Sequence, residues 1–315
     1  MPVLSATDIK IKARELGFDA CGIAPAAAHP ELAYFSEWIA QGYAGSMDYL
    51  ARSSDRRADV RNVMPSARTV IATATVYNTD RPYSTECADP SQAQIARYAW
   101  GDDYHEVISS RLGVLLAWMH EASAEAFEAR AYVDTGPVQE RVYAQYAGLG
   151  WIGKNTCLIS PSLGSWVFLG EILCSLPLAI DPPSLDQCGT CTLCLEACPT
   201  QAFAAPGVLD STRCISYLTI EHRGDIPEPL QASIGSHVYG CDICQEVCPW
   251  NAAAPVSADA AWQPRPAWDG RAVHELQKTP DDELRRALAG SSMRRAKPAG
   301  IQRNVAIAVH NSGRI

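Results

Sequence analysis

No stretch of this sequence is an uninterrupted apolar run long enough to span a bilayer, so a helical membrane protein is excluded. The opening residues, MPVLSATDIKIKARELG, lack the apolar core of a secretory signal and alternate charge with Leu and Ile. A cytoplasmic protein is expected, in a compartment where thiols stay reduced. An overall excess of positive charge is also missing. Lys and Arg number 26 against 35 Asp and Glu, a net charge of −9, so bulk charge gives no reason to expect a polyanionic partner. The composition is otherwise ordinary for a globular chain of 315 residues, 47% apolar and 19% charged, long enough for two or three domains. What stands out is cysteine, present twelve times, many for a reducing compartment unless metal is involved.

Four of the cysteines form the run Cys188-x2-Cys191-x2-Cys194-x3-Cys198-Pro199. This is the spacing with which bacterial ferredoxins wrap an iron–sulfur cubane, the fourth Cys serving the other cluster of a pair. Cys241, Cys244 and Cys248, followed by Pro249, form a second run that is one thiolate short, and Cys214 between the runs can supply it. The count closes at eight ligands for two [4Fe-4S] clusters. In the crossed arrangement Cys188, Cys191, Cys194 and Cys248 hold one, and Cys198, Cys214, Cys241 and Cys244 hold the other. Structural zinc is the competing reading of any C-x2-C pair. A four-Cys run with a trailing Pro, and a second run that also ends in Cys-Pro, favour the clusters. The remaining Cys21, Cys87, Cys157 and Cys174 read as small buried hydrophobes.

Upstream, helical and strand patterns alternate, which predicts an α/β domain over residues 1–175. Helices are expected over 7–17, 31–42 (with Leu32, Phe35, Trp38 and Ile39 buried), 106–124 and 138–148. Strands are expected at DACGIAPA, Arg68–Tyr77, Ala129–Asp134, Thr156–Ser160 and Trp166–Leu173. Asp134 ends a strand just before Thr135-Gly136-Pro137. There a partly desolvated carboxyl could act as a proton donor, but from the residues alone an Asx-type cap before the next helix is the better reading. Tyr98 to His105 (YAWGDDYH) interleaves aromatics, acids and His. Asp103-Tyr104-His105 opens like the D-x-H-x-x-G signature of His-ligated cobalamin proteins, but Ile108 replaces the glycine, so His105 is not assigned to cobalt. GLGWIGKN, ending at Lys154 and Asn155, permits close backbone approach to a ligand.

Residues 176–254 carry the cysteines, and 255–315 comprise a Pro/Ala-rich linker and a helical pair, Asp281 to Ala289 and Ile301 to Asn311. The charged side chains from Met293 onward are all basic: Arg294, Arg295, Lys297, Arg303 and Arg314. A second basic group comprises Arg52, Arg56, Arg57 and Arg61. Such patches let an acidic protein bind a polyanion, although solvated surface charge is the plainer explanation.

YAWGDDYH, YVDTGPVQER, GLGWIGKNT, CGTCTLCLEACPT, HVYGCDICQEVCPWN and RRAKPAGIQRNVAIA occur in this order along nearly the whole chain. Together they resemble the epoxyqueuosine reductase family. The resemblance implies an α/β cobalamin-binding domain, a ferredoxin-like domain with two [4Fe-4S] clusters and HEAT-like helices, shortened here to about one pair. It implies reduction of the epoxide of epoxyqueuosine to queuosine at the wobble position of tRNAs with GUN anticodons. It also reverses the capping reading of Asp134, which matches the family's proton donor. On this basis Arg57, Tyr98, His105, Asp134, Arg141, Lys154 and Asn155 are expected around cobalamin. Arg294, Arg295, Lys297 and Arg303 are expected on tRNA, and an external flavodoxin- or ferredoxin-type donor would feed a monomer. Two other classes remain: an electron-transfer module with clusters and no cobalamin, and a corrinoid reductive dehalogenase, usually exported by a twin-arginine signal that this sequence lacks.

Overall fold

The computed structural model describes residues 4–313. A four-stranded sheet organises the first half. Its strands are β1 (Ala20–Pro25), β2 (Thr69–Val76), β3 (Ala129–Tyr132) and β4 (Val167–Cys174), in the order β1-β2-β4-β3. Around it lie α1 (Ala6–Glu15), α2 (Pro30–Ala40), α3 (Tyr104–Ala122) and α4 (Glu140–Tyr146). Every residue of β2 is buried, because alternate side chains enter two covered faces. Ile71 belongs to one apolar cluster with Ile9 and Ala13 of α1 and Ile108, Leu112 and Met119 of α3. Val70, Ala72 and Ala74 belong to another, with Val142, Tyr143 and Ala144 of α4. Each such Ile, Leu, Val or Met side chain contributes about 1.5–3 kcal/mol by leaving water, and the alanines less.

Helices on both faces match the layering expected from the sequence, but all three strand pairings are antiparallel. The order of elements does not carry strand direction, since the long connections leave room to return either way. Asp134 lies two residues beyond β3, which is an edge strand of this sheet. Helix α2 forms, yet of its expected stripe only Leu32 is buried, and Phe35, Trp38 and Ile39 are half-buried. That side of the helix meets the second half of the chain, where Trp38 Nε1 donates to the Leu209 carbonyl at 2.6 Å.

Residues 78–103 leave the sheet and join the second half. Gln94–Ile95 pairs in parallel with His237–Tyr239. The buried Arg97 guanidinium donates to the carbonyls of Thr79, Arg81 and Pro82, and its backbone N–H donates to Asp242 at 2.6 Å. Gly240 has φ +67°, and a Cβ there would lie 2.4 Å from that of Ala96, so only glycine carries the chain into Cys241 without strain.

The tail forms the expected helical pair, Asp281–Leu288 and α5 (Lys297–Ser312). Leu284, Leu288, Ile301, Val305 and Ala308 join Val238, Tyr239 and Ile95 in one core. The fully buried Asn304 of α5 donates to the carbonyls of Thr219 and Val238 at 2.8 and 2.9 Å. A single pair cannot bury its own face, and it docks on the cysteine-bearing region, as required. Among the described residues no helix is long and apolar enough to cross a membrane.

Candidate active site

The short helices Leu193–Glu196 and Ile243–Glu246 pack together and bring the two cysteine runs face to face. Cys188, Cys191, Cys194 and Cys248 line one cavity of about 40 Å³. Cys198, Cys214, Cys241 and Cys244 line a second of about 400 Å³. The last cysteine of each run thus stands with the other run. All eight are free thiols. No set of three or more His, Cys, Asp or Glu among the described residues converges tightly enough for a single metal ion. Four soft sulfur donors around each cavity suit an iron–sulfur cage. Cys157, expected only as a buried hydrophobe, lies against Cys244 and lines the larger cavity.

The same larger cavity is lined by Asp134, Arg141, Tyr98, Tyr104 and Phe168. Asp134 sits on the loop between β3 and α4 in the left-handed region, with φ +54°, a conformation Asp tolerates better than most residues. Its backbone N–H donates to Glu140 Oε1 at 2.5 Å, tying the loop to the first turn of α4. Its carboxylate, 57% exposed, meets His105 Nε2 at 3.1 Å. His105 Nδ1 in turn contacts Asp103 Oδ1 at 2.6 Å, and Asp103 also accepts the His105 backbone N–H at the start of α3. Tyr104 stacks on His105 at 4.0 Å and on Phe168 at 4.6 Å, which fixes the imidazole.

Charge follows from this chain of contacts. Burial pushes the His105 pKa down, but the bonds to Asp103 and Asp134 outweigh it and raise it to about 9. Partial desolvation by the cavity walls pushes Asp134 up, yet the bonds to His105 and Tyr104 and the nearby Arg141 charge leave it below its ordinary value. In this arrangement the proton shared by the two resides on the imidazole. Beneath the loop, burial and the Asp134 charge raise Glu140 to about 7. Glu171 of β4 is fully buried, no N–H or O–H donor among the described residues reaches its carboxylate, and Glu140 faces it. Two carboxyls so placed must hold a proton between them. The sequence reading missed both glutamates. Glu171 was legible as the one charge in the apolar strand VFLGEILC, and Glu140 stands beside Arg141 in a motif already singled out.

Of the residues expected around one ligand, the structure brings Tyr98, Asp134, Arg141 and Asn155 to the larger cavity, with His105 bonded to Asp134. Arg57 is displaced from it: Nε donates to Ser53 Oγ and Nη1 to the Val138 carbonyl, gripping the Asp134 loop from outside. Lys154 is elsewhere, its ammonium donating to the carbonyls of Gly189 and Cys191 at 2.7 and 2.8 Å. Asn155 reaches the cavity, but its amide donates to the Cys244 carbonyl at 3.2 Å. The glycine-rich turn before these residues holds them over the first cysteine run, which spacing alone did not reveal.

His105 carries a pH signature. Its folded pKa lies above the ordinary 6.5, so the stabilisation it contributes is complete below about 6.5 and lost as pH rises through about 9. In His105→Gln the melting temperature should lose this part of its pH dependence. Thermal denaturation of both proteins across that window checks it, and parallel curves would refute the assignment.

A further cavity of about 430 Å³ is lined by Arg223, Arg294, Arg295 and Lys297, with Tyr49 and Glu221. Arg295 pairs with Glu221 through two bonds of 2.8 and 2.9 Å and lies over the Tyr49 ring. Arg294 and Lys297 form no ion pair among the described residues. Arg303, expected on tRNA, is instead half-buried, and its guanidinium donates to the carbonyls of Leu218, His222 and Gly224. Arg314 lies outside the described residues.

Comparison with known proteins agrees with this geometry. Residues 187–251 match the 4Fe-4S double cluster binding domain, and residues 57–135 match the model described as epoxyqueuosine reductase QueG, DUF1730. The epoxyqueuosine reductase of Gloeobacter violaceus is 45% identical over 98% of this chain and 97% of its own. That of Xanthomonas campestris is 41% identical over 99% and 88%. Among solved structures, an epoxyqueuosine reductase crystallised with an epoxyqueuosine-modified tRNA-Tyr stem loop superposes with a TM-score of 0.87 at 30% identity, covering 97% of this chain and 81% of that one. With identity of this level spanning nearly the full length of both chains, and with the fold and the double-cluster region in agreement, the chain belongs to the epoxyqueuosine reductase family.

Proposed function

We propose that this protein reduces the epoxide of epoxyqueuosine at the wobble position of tRNA to the alkene of queuosine. The observation that carries the reading is that Asp134 and the four thiols Cys198, Cys214, Cys241 and Cys244 line one cavity. A two-electron reduction needs an electron source and a proton source at one place, and side chains alone supply only the proton. Cys188, Cys191, Cys194 and Cys248 would hold an outer cluster, and the second set an inner one against the cavity. Tyr98, Tyr104, Phe168 and Arg141 give that cavity flat aromatic walls and a polar edge suited to the corrin of cobalamin. Cobalamin bound there would supply a strongly reducing cobalt nucleophile, with the clusters relaying its electrons.

The chain's own residues handle the protons. Conversion of the epoxide to an alkene and water consumes two electrons and two protons. Negative charge develops on the oxygen as the ring opens. The proton resting on His105 passes through the 3.1 Å contact to Asp134, which hands it to that oxygen, and the second proton enters from solvent by the same route. Arg141 donates to the Thr156 carbonyl at 3.1 Å, which holds its charge beside Asp134. Residues 1–175 form the catalytic domain in this reading, 176–254 the ferredoxin-like domain and 255–315 a HEAT-like tail. An external flavodoxin- or ferredoxin-type donor reduces a cytoplasmic monomer. Anaerobic reconstitution tests the whole: about eight iron and one cobalt per chain, with turnover of epoxyqueuosine-tRNA, are expected. Eight iron without cobalamin uptake would mark an electron-transfer module instead.

The exposed cations Arg294 and Lys297 are assigned to tRNA phosphates. Alanine at either should weaken tRNA binding irrespective of sequence and lower the salt dependence of log K by about one unit. Arg303→Ala should leave that slope unchanged and lower the melting temperature. Titrations at several salt concentrations distinguish the two outcomes.

A further inference from the structure

Of the GLGWIGKN turn only Asn155 lines the larger cavity, and the position of Trp151 and Lys154 gives them another role. Trp151 is 1% exposed, and its Nε1–H donates to the sulfur of Cys188 at 3.4 Å. The ring is held edge-on to Trp250 at 4.9 Å and 78°, next to Cys248 and Pro249. Three residues on, the Lys154 ammonium donates to the carbonyls of Gly189 and Cys191, the loop that carries the first three cysteines. Lys154, Trp250 and Pro249 line the same small cavity as Cys188, Cys191, Cys194 and Cys248. An indole donor and a fixed cation are thus built around one thiol set. The second set is surrounded differently: Cys198 accepts from the backbone N–H of Ala202 at 3.3 Å and lies 3.6 Å from Thr200 Oγ1, Cys157 lies against Cys244, and the buried carboxyl of Asp242 stands beside Cys241.

We infer that Trp151 and Lys154 are positioning residues that raise the reduction potential of the cluster held by Cys188, Cys191, Cys194 and Cys248. The inference rests on the assignment of that cluster in the proposed function. Reduction adds one negative charge to a cubane and its thiolates. A hydrogen bond to a ligand sulfur and a nearby ammonium both stabilise the more negative state, so both raise the potential. Electrons from a soluble donor then have an accessible first stop. Leu193, between two of these ligands, is 47% exposed, which places this set on the outer side, whereas the second set faces the Asp134 cavity. An indole donor and a fixed ammonium at the first set, against hydroxyl, thiol and backbone contacts and a buried carboxyl at the second, give the two clusters different potentials.

The test is an EPR-monitored redox titration of the anaerobically reconstituted full chain, with iron counted in each sample. Trp151→Phe keeps the edge-on ring and deletes only the N–H. Lys154→Gln deletes the charge, and Lys154→Arg restores it. In both deletion variants one midpoint potential should fall by roughly 59 mV, a tenfold change in the ratio of reduced to oxidised cluster for a one-electron couple, while the other stays. Lys154→Arg should return it most of the way. Eight iron with both potentials unchanged in the two variants overturns the inference while leaving the cluster assignment intact. Failure of the unaltered chain to reach eight iron overturns the assignment instead. If Trp151→Phe loses iron, Lys154→Gln decides alone.

Discussion

Asp134→Ala is expected to lower the rate of epoxide reduction by about 10²–10⁴-fold, the range a positioned proton donor contributes, while iron content and cobalamin uptake stay as in the unaltered protein. The carboxylate lies on a loop, 57% exposed, and none of the eight clustered cysteines bonds to it, so its loss leaves the thiol sets in place. The backbone contact from residue 134 to Glu140 survives in alanine, although the left-handed φ of +54° suits alanine less well and costs a little stability. Asp134→Asn keeps the shape and removes the acid, so it should fall as far as alanine. His105→Gln should fall less, because Asp134 can still take a proton from water or from the Glu140–Glu171 pair below it. Single-turnover rates on epoxyqueuosine-tRNA at matched cofactor loading separate these cases. Near-normal turnover in Asp134→Asn would rule the carboxyl out as the donor.

How far this site was legible in the sequence differs from residue to residue. The cysteine spacing carried its own geometry, because short gaps between thiols leave few ways to wrap a cage. Asp134 was legible as a strand-end carboxyl, and the helix-start triplet Asp103-Tyr104-His105 as a polar cluster. That His105 reaches Asp134 was not, because the contact joins segments 29 residues apart through tertiary packing. The buried stripe of β2 could be read from its β-branched run, whereas its antiparallel neighbours could not, since direction is set by connections with no pattern of their own. The partners of Lys154 and Arg303 were hidden for a common reason. A cation in a sequence looks available, and only the fold shows that backbone carbonyls already occupy it. Such residues hold loops in place.

The crossing of the two cysteine runs yields the other large effect. Cys248 belongs by sequence to the run with Cys241 and Cys244, but lines the small cavity with Cys188, Cys191 and Cys194. Cys198 belongs to the first run, but lines the larger cavity with Cys214, Cys241 and Cys244. Cys248→Ala should therefore cost the outer cluster and spare the inner one, halving iron from about eight to about four per chain. Cys198→Ala should do the reverse. Both should abolish turnover with a protein donor, because each breaks the electron path at a different step. They differ when a small reductant that can enter the cavity is supplied. Cys248→Ala, with its inner cluster intact beside Asp134, should recover part of its activity, and Cys198→Ala should recover none through the clusters. Uncrossed ligation predicts the opposite pairing, in which Cys248→Ala strips the set formed with Cys241 and Cys244. Double variants decide it by iron count alone. Adding Cys191→Ala to Cys248→Ala should remove no further iron if the two cysteines hold one cluster, and should remove the remaining four if they hold two.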